Sequence, residues 1–269
     1  MRELLEVWRS PRQTVLVALI AAAYAAVLIL FKFIPVIPGY TEPRPANAIP
    51  VAAAILFGPV AAWGAALGNL IGDLFGTLTL GSLFGLVGNF LYGLIPFQVW
   101  RFLFRGRMAR WQGRQYGSLA AATLLASMAC GGLIGWGIET FGLGPPFVFL
   151  GNFIVINNAV MTLILAPLLL QYLALPMEEM GLTYLRLRER PEEGVRKPRQ
   201  WVGFCLLVLG CVGVMVACNL QAVGGQVQGK PFHLLPFLSL PNVVAGSRTA
   251  MGWAGAPFMV LILLGCALL

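Results

Sequence analysis

Of 269 residues, 59% are hydrophobic and only 10% are charged, with a mean hydropathy of +0.83. Soluble domains carry about 25% charged residues, so this is an integral membrane protein. The apolar runs are long and do not alternate, which excludes a β-barrel and predicts helices that satisfy their own backbone hydrogen bonds. The net charge of +8 comes from Lys and Arg in short clusters between apolar runs, the pattern of cytoplasmic loops and not of a nucleic-acid surface.

In chain order, "MRELLEVWRSPRQ" is amphipathic and basic and is expected to lie along the inner membrane surface. Its neighbour, the first apolar run (about 14–34), is too long for a signal-peptide core and has no clear cleavage site. The loop "PVIPGYTEPRPAN" follows, with prolines and a glycine that bar a continuous helix. A second helix is predicted over about 46–62, a third over 63–80 and a fourth over 82–104, joined tightly near "FGPVAAWG" and "TLTLGS". A basic segment, "RFLFRGRMARWQGRQ", precedes a fifth helix over about 117–138. The short loop "ETFGLGPP" precedes a sixth over 147–173. Residues 176–200 read as a charged cytoplasmic linker. Beyond it lie a seventh helix (201–219), a polar segment with Lys230, His233 and Arg248, and an eighth helix (253–269).

The expected fold is therefore an all-α polytopic bundle: a six-helix unit over 1–174, a linker over 175–200 and a two-helix appendage over 201–269. With the N-terminus inside, 14 of the 18 Lys and Arg fall on the inner side, and Lys32, Arg44, Lys230 and Arg248 on the outer. The five cysteines, Cys130, Cys205, Cys211, Cys218 and Cys266, form no CxxC pair and read as small buried hydrophobes.

The chemistry-bearing residues sit inside the apolar runs. The third helix carries Gly68, Gly72 and Gly76 at every fourth position, with Ala61 and Ala65 extending a stripe that admits close packing. Asn69 and Asp73 share an adjacent face, one turn apart. The fourth helix repeats the design with Gly81, Gly85, Asn89 and Gly93, and Tyr92 beside them. The fifth offers Gly131, Gly135, Trp136 and Glu139, and the sixth Asn152, Asn157 and Asn158. A carboxylate facing lipid costs roughly 2.5–3.5 kcal/mol on insertion scales, so Asp73 is expected to face the bundle interior. Two readings stay open: a polar pocket open to the outside, or an interhelical hydrogen-bond knot with no ligand.

The outer loop brings Tyr40, Glu42, Arg44 and Asn47. Stiffened by proline, it suits a lid, with Arg44 meeting an anionic ligand group or pairing with Glu42 or Asp73. In "ALIAAAYAAV" of the first helix, Ala18, Ala22 and Ala26 make one ridge and Ala21 and Ala25 a second, fit for close approach by another helix. Catalytic patterns are weak. His233 has no metal-ligand companions, the pair Glu178–Glu179 reads as a solvated charge pair, and no GxSxG, HExxH or P-loop occurs. No enzyme activity, cofactor or metal is expected.

The alanine ridge, the long outer loop and "ILFGPVAAWGAALGNLIGDLFG" together resemble the substrate-capture S component of energy-coupling factor (ECF) transporters, over about 13–174. The resemblance implies an importer subunit for a small water-soluble nutrient, a vitamin or its precursor, in a bacterial or archaeal inner membrane. It implies docking of Ala18, Ala22 and Ala26 on a transmembrane coupling subunit, with two ATPase subunits supplying energy. The loop around Tyr40–Asn47 would gate an outward pocket among the fourth to sixth helices, with ligand contacts on Asn89, Tyr92, Trp136, Asn152 and Asn157, and with Asp73 nearby. Such components usually end after six helices, so the appended pair is an addition. The alternative function is a membrane scaffold or assembly protein whose polar residues only tie helices together.

Overall fold

A computed structural model describes residues 2–32, 43–76, 78–104, 113–184, 197–224, 232–235, 238–240 and 248–269. Among these the chain is an all-α membrane bundle. Its helices are α1 (Arg2–Glu6), α2 (Pro11–Phe31), α3 (Ala48–Phe57), α4 (Val60–Leu74), α5 (Ser82–Leu103), α6 (Gly113–Thr140), α7 (Phe147–Glu179), α8 (Pro198–Gly224) and α9 (Arg248–Leu268). Six of them, α2 and α5 to α9, are long and apolar enough to cross a membrane. The backbone between α8 and α9 forms one short antiparallel pair, Phe232–Leu235 with Leu238–Leu240, and His233 lies on it.

The second and third predicted helices are shorter than their apolar sequence suggests. Gly58, at φ 72°, and Pro59 break the run, so the joint falls at 58–59 and the two helices become α3 and α4. At 1.5 Å per residue α3 is about 15 Å long, half of a hydrocarbon core of about 30 Å. It is preceded by one 3-10 turn, Pro45–Asn47. The Pro45–Asn47 turn therefore lies inside the bundle, and this irregular backbone is tolerated because protein surrounds it: Ala46, Asn47 and Ala48 are all buried. At the other boundary, α7 runs through Pro176 to Glu179 and so takes in the start of the predicted linker.

Small residues set the packing. A Cβ on Gly68 would meet the Ala21 carbonyl and Tyr24, one on Gly64 would meet Ile20, and one on Gly72 would meet Leu28, so the glycine face of α4 lies against α2. The face with Asn69 and Asp73 turns instead to α5, where a Cβ on Gly85 would come 3.0 Å from Asn69 Nδ2. Gly93 seats α5 on the α4 backbone at Ala61, with no room for a methyl group. Gly93→Ala is therefore expected to cost about 1–3 kcal/mol by overpacking, read as a lower unfolding midpoint in detergent.

The ends that the charge pattern assigns to the inner side do gather together. Arg101 of α5 reaches Glu3 Oε2 at 3.2 Å and the Leu269 carbonyl at 2.9 Å. Trp63 Nε1 donates to the Leu4 carbonyl at 2.9 Å, and Gly58 abuts Tyr184. The appended pair packs on α6 and α7 through specific polar ties: the Asn152–Asn219 amides bond reciprocally at 2.7 and 3.1 Å, and Cys211 Sγ reaches the Leu125 carbonyl at 3.4 Å. Gln98 Nε2 also donates to the Cys266 carbonyl at 2.8 Å. Four of the five thiols are buried as expected, while Cys205 is exposed on the outer face of α8.

Candidate functional site

A continuous column of polar side chains runs down the interior of the six-helix unit, and its members come from five elements. At its upper end Lys32 Nζ, just past α2, lies 3.5 Å from Asp73 Oδ1. Asp73 Oδ2 accepts from Asn69 Nδ2 at 3.1 Å, across one turn of α4. The carboxylate thus faces protein and not lipid, as its insertion cost requires. Arg44 closes over this level: its guanidinium donates to Asn69 Oδ1 at 3.2 Å, and its backbone N–H donates to Asn157 Oδ1 of α7 at 3.3 Å.

One level down, Tyr24 of α2 brings its hydroxyl to Asn47 Oδ1 at 2.6 Å and to Asn89 Oδ1 at 2.9 Å. Asn47 Nδ2 donates to Asn158 Oδ1 at 2.5 Å, and Asn89 Nδ2 to the Gly85 carbonyl at 2.9 Å. Deeper still, Tyr92 Oη lies 2.7 Å from Thr162 Oγ1 and 3.4 Å from the Asn158 carbonyl. Tyr24, Asn47, Tyr92 and Thr162 are wholly buried, and Asn69, Asn89 and Asn158 nearly so.

The short α3 is what makes this arrangement possible. By starting halfway through the bundle it places Asn47, the end of the Pro45–Asn47 turn, at the depth of Tyr24 and Asn158. Donor arithmetic at this junction is uneven. A tyrosine hydroxyl carries one proton, yet two amide oxygens point at it, and both amide nitrogens are already donating elsewhere. Only one of Asn47 Oδ1 and Asn89 Oδ1 is served at a time, and the other is an acceptor held ready in a buried place.

The residues singled out from sequence divide into three groups. Arg44, Asn47, Asn69, Asp73, Asn89, Tyr92 and Asn157 come together in the column. Trp136 and Asn152 turn away from it: Trp136 Nε1 donates to the Met251 and Gly252 carbonyls at 3.1 and 3.3 Å, and Asn152 binds Asn219. Both face the appended helices, which the six-helix comparison had no means to anticipate. Tyr40, with Glu42, lies outside the described residues. Arg44 meets Asn69, and Asp73 has an ion partner in Lys32, a residue that charge counting used only for orientation. Tyr24 and Thr162 were also missed. The signal for Tyr24 was its place as the single hydroxyl in the alanine-rich run of α2.

The small ridge of α2 faces the other way. Ala18, Ala22 and Ala26 are exposed along with Val15 and Leu19, whereas Ala21, Tyr24 and Ala25 are buried. The appended pair packs on α6 and α7 and leaves this ridge open.

No curated protein and no solved structure matches the chain. The family model described as QueT transporter matches residues 14–175, more than half of the chain and every residue of the polar column. The six membrane-length helices and this match agree: the chain belongs to the QueT transporter family, a group of ECF transporter S components.

Proposed function

We propose that the chain captures a queuosine precursor, the substrate class of its family, and that the polar column is where it binds. The observation that carries this reading is the junction of Tyr24, Asn47 and Asn89, with its unserved amide acceptor. Queuosine is a 7-deazaguanine nucleoside, and such a base presents N–H donors on one edge. An incoming donor meets the ready acceptor and displaces bonds that the amides otherwise make among themselves, so little hydrogen-bonding capacity is lost on binding. Arg44, Asn69, Asp73, Asn89, Tyr92 and Asn157 line the path or the site.

The ridge Ala18, Ala22 and Ala26 is proposed as the docking face for a transmembrane coupling subunit driven by two ATPase subunits, with the N-terminus on the cytoplasmic side of a bacterial or archaeal cell membrane. The chain has no nucleotide-binding motif of its own, which suits a capture subunit energised by others.

The purified protein is expected to be stabilised by 7-deazaguanine, by about 2.7 kcal/mol at a hundredfold excess over the dissociation constant. A thermal-shift titration reads this directly, and an absent shift for this base and its 7-substituted forms counts against the reading. A second reading, a scaffold whose amides only tie helices, draws on the mutual bonding of the column. Asp73→Asn separates the two. It keeps the shape and a hydrogen bond to Asn69 but ends the ion pair with Lys32. If the column is a site, ligand affinity or uptake falls about tenfold while folding is kept, because the upper end of the path changes its charge. If it is a knot, the unfolding midpoint falls and there is no ligand effect to lose.

The Asn152–Asn219 pair provides the contrasting case. A double-mutant cycle there is expected to give a coupling of about 0.6 kcal/mol, the usual size for such bonds in membranes, and Asn152→Ala is expected to leave ligand affinity unchanged.

A further inference from the structure

The seam between α6 and α9 holds a cleft of about 420 Å³, lined by Thr140, Arg248, Thr249, Gly252, Trp253 and Ala256. It lies at the end of the bundle opposite the Arg101–Glu3 cluster, because the far end of α9 is the one tied to Arg101 through the Leu269 carbonyl. The 21 residues of α9 extend about 30 Å at 1.5 Å per residue, so its first turn stands at the headgroup level of the other membrane face. The walls are held in place. Trp136 Nε1 of α6 donates to the Met251 and Gly252 carbonyls, and Gly255 packs against the same indole.

The lining is rich in donors. Arg248 is exposed and makes no ion pair among the described residues. Its guanidinium lies over the turn at Gly142, where a φ of 65° and the absent side chain leave it room. Thr249 adds a hydroxyl. Thr140 Oγ1 has no hydrogen-bond partner among the described residues, while its methyl group faces Gly252. One rotation about χ1 exchanges the two groups and turns the hydroxyl to the cleft. Glu139, one residue earlier, does not line the cleft: it is buried and accepts from the Phe147 N–H. Trp253, 76% exposed, forms the lipid-facing wall. A guanidinium with hydroxyls beside it suits a group that offers only acceptor oxygens and a negative charge, which describes a phosphodiester.

We propose that this cleft holds the phosphodiester headgroup of a phospholipid from the adjacent leaflet. The rest of α9 favours a lipid over dissolved phosphate. Trp253, Ala256, Val260, Leu263 and Leu264 follow one another down a single face of the helix, and Val260, Leu263 and Leu264 are about half exposed. Acyl chains continue from the cleft along this stripe, whereas a lone phosphate leaves it uncovered. The indole of Trp253 sits between headgroup and chain, the depth that tryptophan prefers. So placed, the lipid bridges Arg248 and Thr249 of α9 to Thr140 of α6 and fastens the appended pair to the six-helix unit. The site shares no residue with the polar column and does not depend on what the column binds.

The test is native mass spectrometry of the delipidated full chain with dioleoylphosphatidylglycerol, and with dioleoylglycerol, which has the same chains and no phosphate. Unfolding midpoints are read with each lipid and with inorganic phosphate alone. Arg248→Gln and Trp253→Ala are compared with Arg199→Gln, an exposed arginine at the start of α8. Expected are one tightly held phosphatidylglycerol on wild type, a raised midpoint with that lipid, and little retention of dioleoylglycerol. Arg248→Gln is expected to weaken retention roughly tenfold, the worth of one charge-assisted hydrogen bond. Trp253→Ala weakens it less, and Arg199→Gln leaves it unchanged. Equal retention by wild type and Arg248→Gln overturns the proposal, as does equal retention of the two lipids. Stabilisation by inorganic phosphate without any held lipid also overturns it, by making the cleft a site for a dissolved anion.

Discussion

Asn47→Ala is expected to abolish measurable ligand binding, a loss of about a hundredfold or more, and to destabilise the protein by about 1–3 kcal/mol. The side chain is wholly buried at the start of α3 and joins three helices. It accepts from Tyr24 of α2 and donates to Asn158 of α7. Truncation leaves Asn158 Oδ1 without this donor in a site that water does not reach, and the cost of such a stranded acceptor sets the stability loss. The binding loss is larger because two ligand-facing effects combine. The acceptor itself is removed, and Tyr24 is freed to give its one proton wholly to Asn89, which takes the second acceptor out of play. Each factor of ten corresponds to about 1.4 kcal/mol, so two hydrogen bonds of ordinary net worth account for a hundredfold. Isothermal titration with 7-deazaguanine, at a temperature where the variant is folded, reads the binding term apart from the stability term. Retained affinity in a destabilised variant would assign Asn47 to the helix-tying role alone.

Ala22→Leu is expected to do the reverse, leaving fold and ligand affinity intact and cutting uptake tenfold or more. Ala22 is the centre of the exposed ridge and touches nothing that the column needs. A leucine there gains lipid contact in the isolated subunit, so its unfolding midpoint is expected to hold. Against a partner helix the added side chain forces the two backbones apart, and close approach is what small ridges supply in lipid, where no hydrophobic drive remains between helices. Uptake in cells and co-purification with the coupling subunit read the effect. Normal uptake by Ala22→Leu would move the docking face elsewhere. Ala21→Leu is the control with the opposite expectation: its side chain points into the α2–α4 contact, where Gly68 already lies against the Ala21 carbonyl, so it should fail at folding.

Much of this was legible in the sequence, and for stated reasons. Hydropathy and the clusters of Lys and Arg led to the helices and to their ends, because lipid allows few alternatives. The position of Asp73 followed from its insertion cost alone, and the structure has it facing Asn69 and Lys32. The shortness of α3 was harder to see. Apolar residues continue past Gly58 and Pro59, so a window of composition runs two short helices into longer ones, and the φ of Gly58 fixes the break. Trp136 and Asn152 show a different limit. Their types suit a binding site, and nothing local says that α8 and α9 cover that flank. Tyr24 was hidden for the opposite reason: the alanines around it drew the reading to the outer face of α2, while its hydroxyl works on the inner one.

That last point bears on how a loaded subunit is told from an empty one. The same helix shows Ala22 to the membrane and, two residues on, delivers Tyr24 to the junction, and at its end Lys32 is tied to Asp73. No relay of side chains across the protein is needed for occupancy to reach the outside. On the capture reading, a ligand that competes for the tyrosine proton would act on the very rod whose back is on display, and any tilt or roll of α2 would at once change the surface that a neighbour would grip.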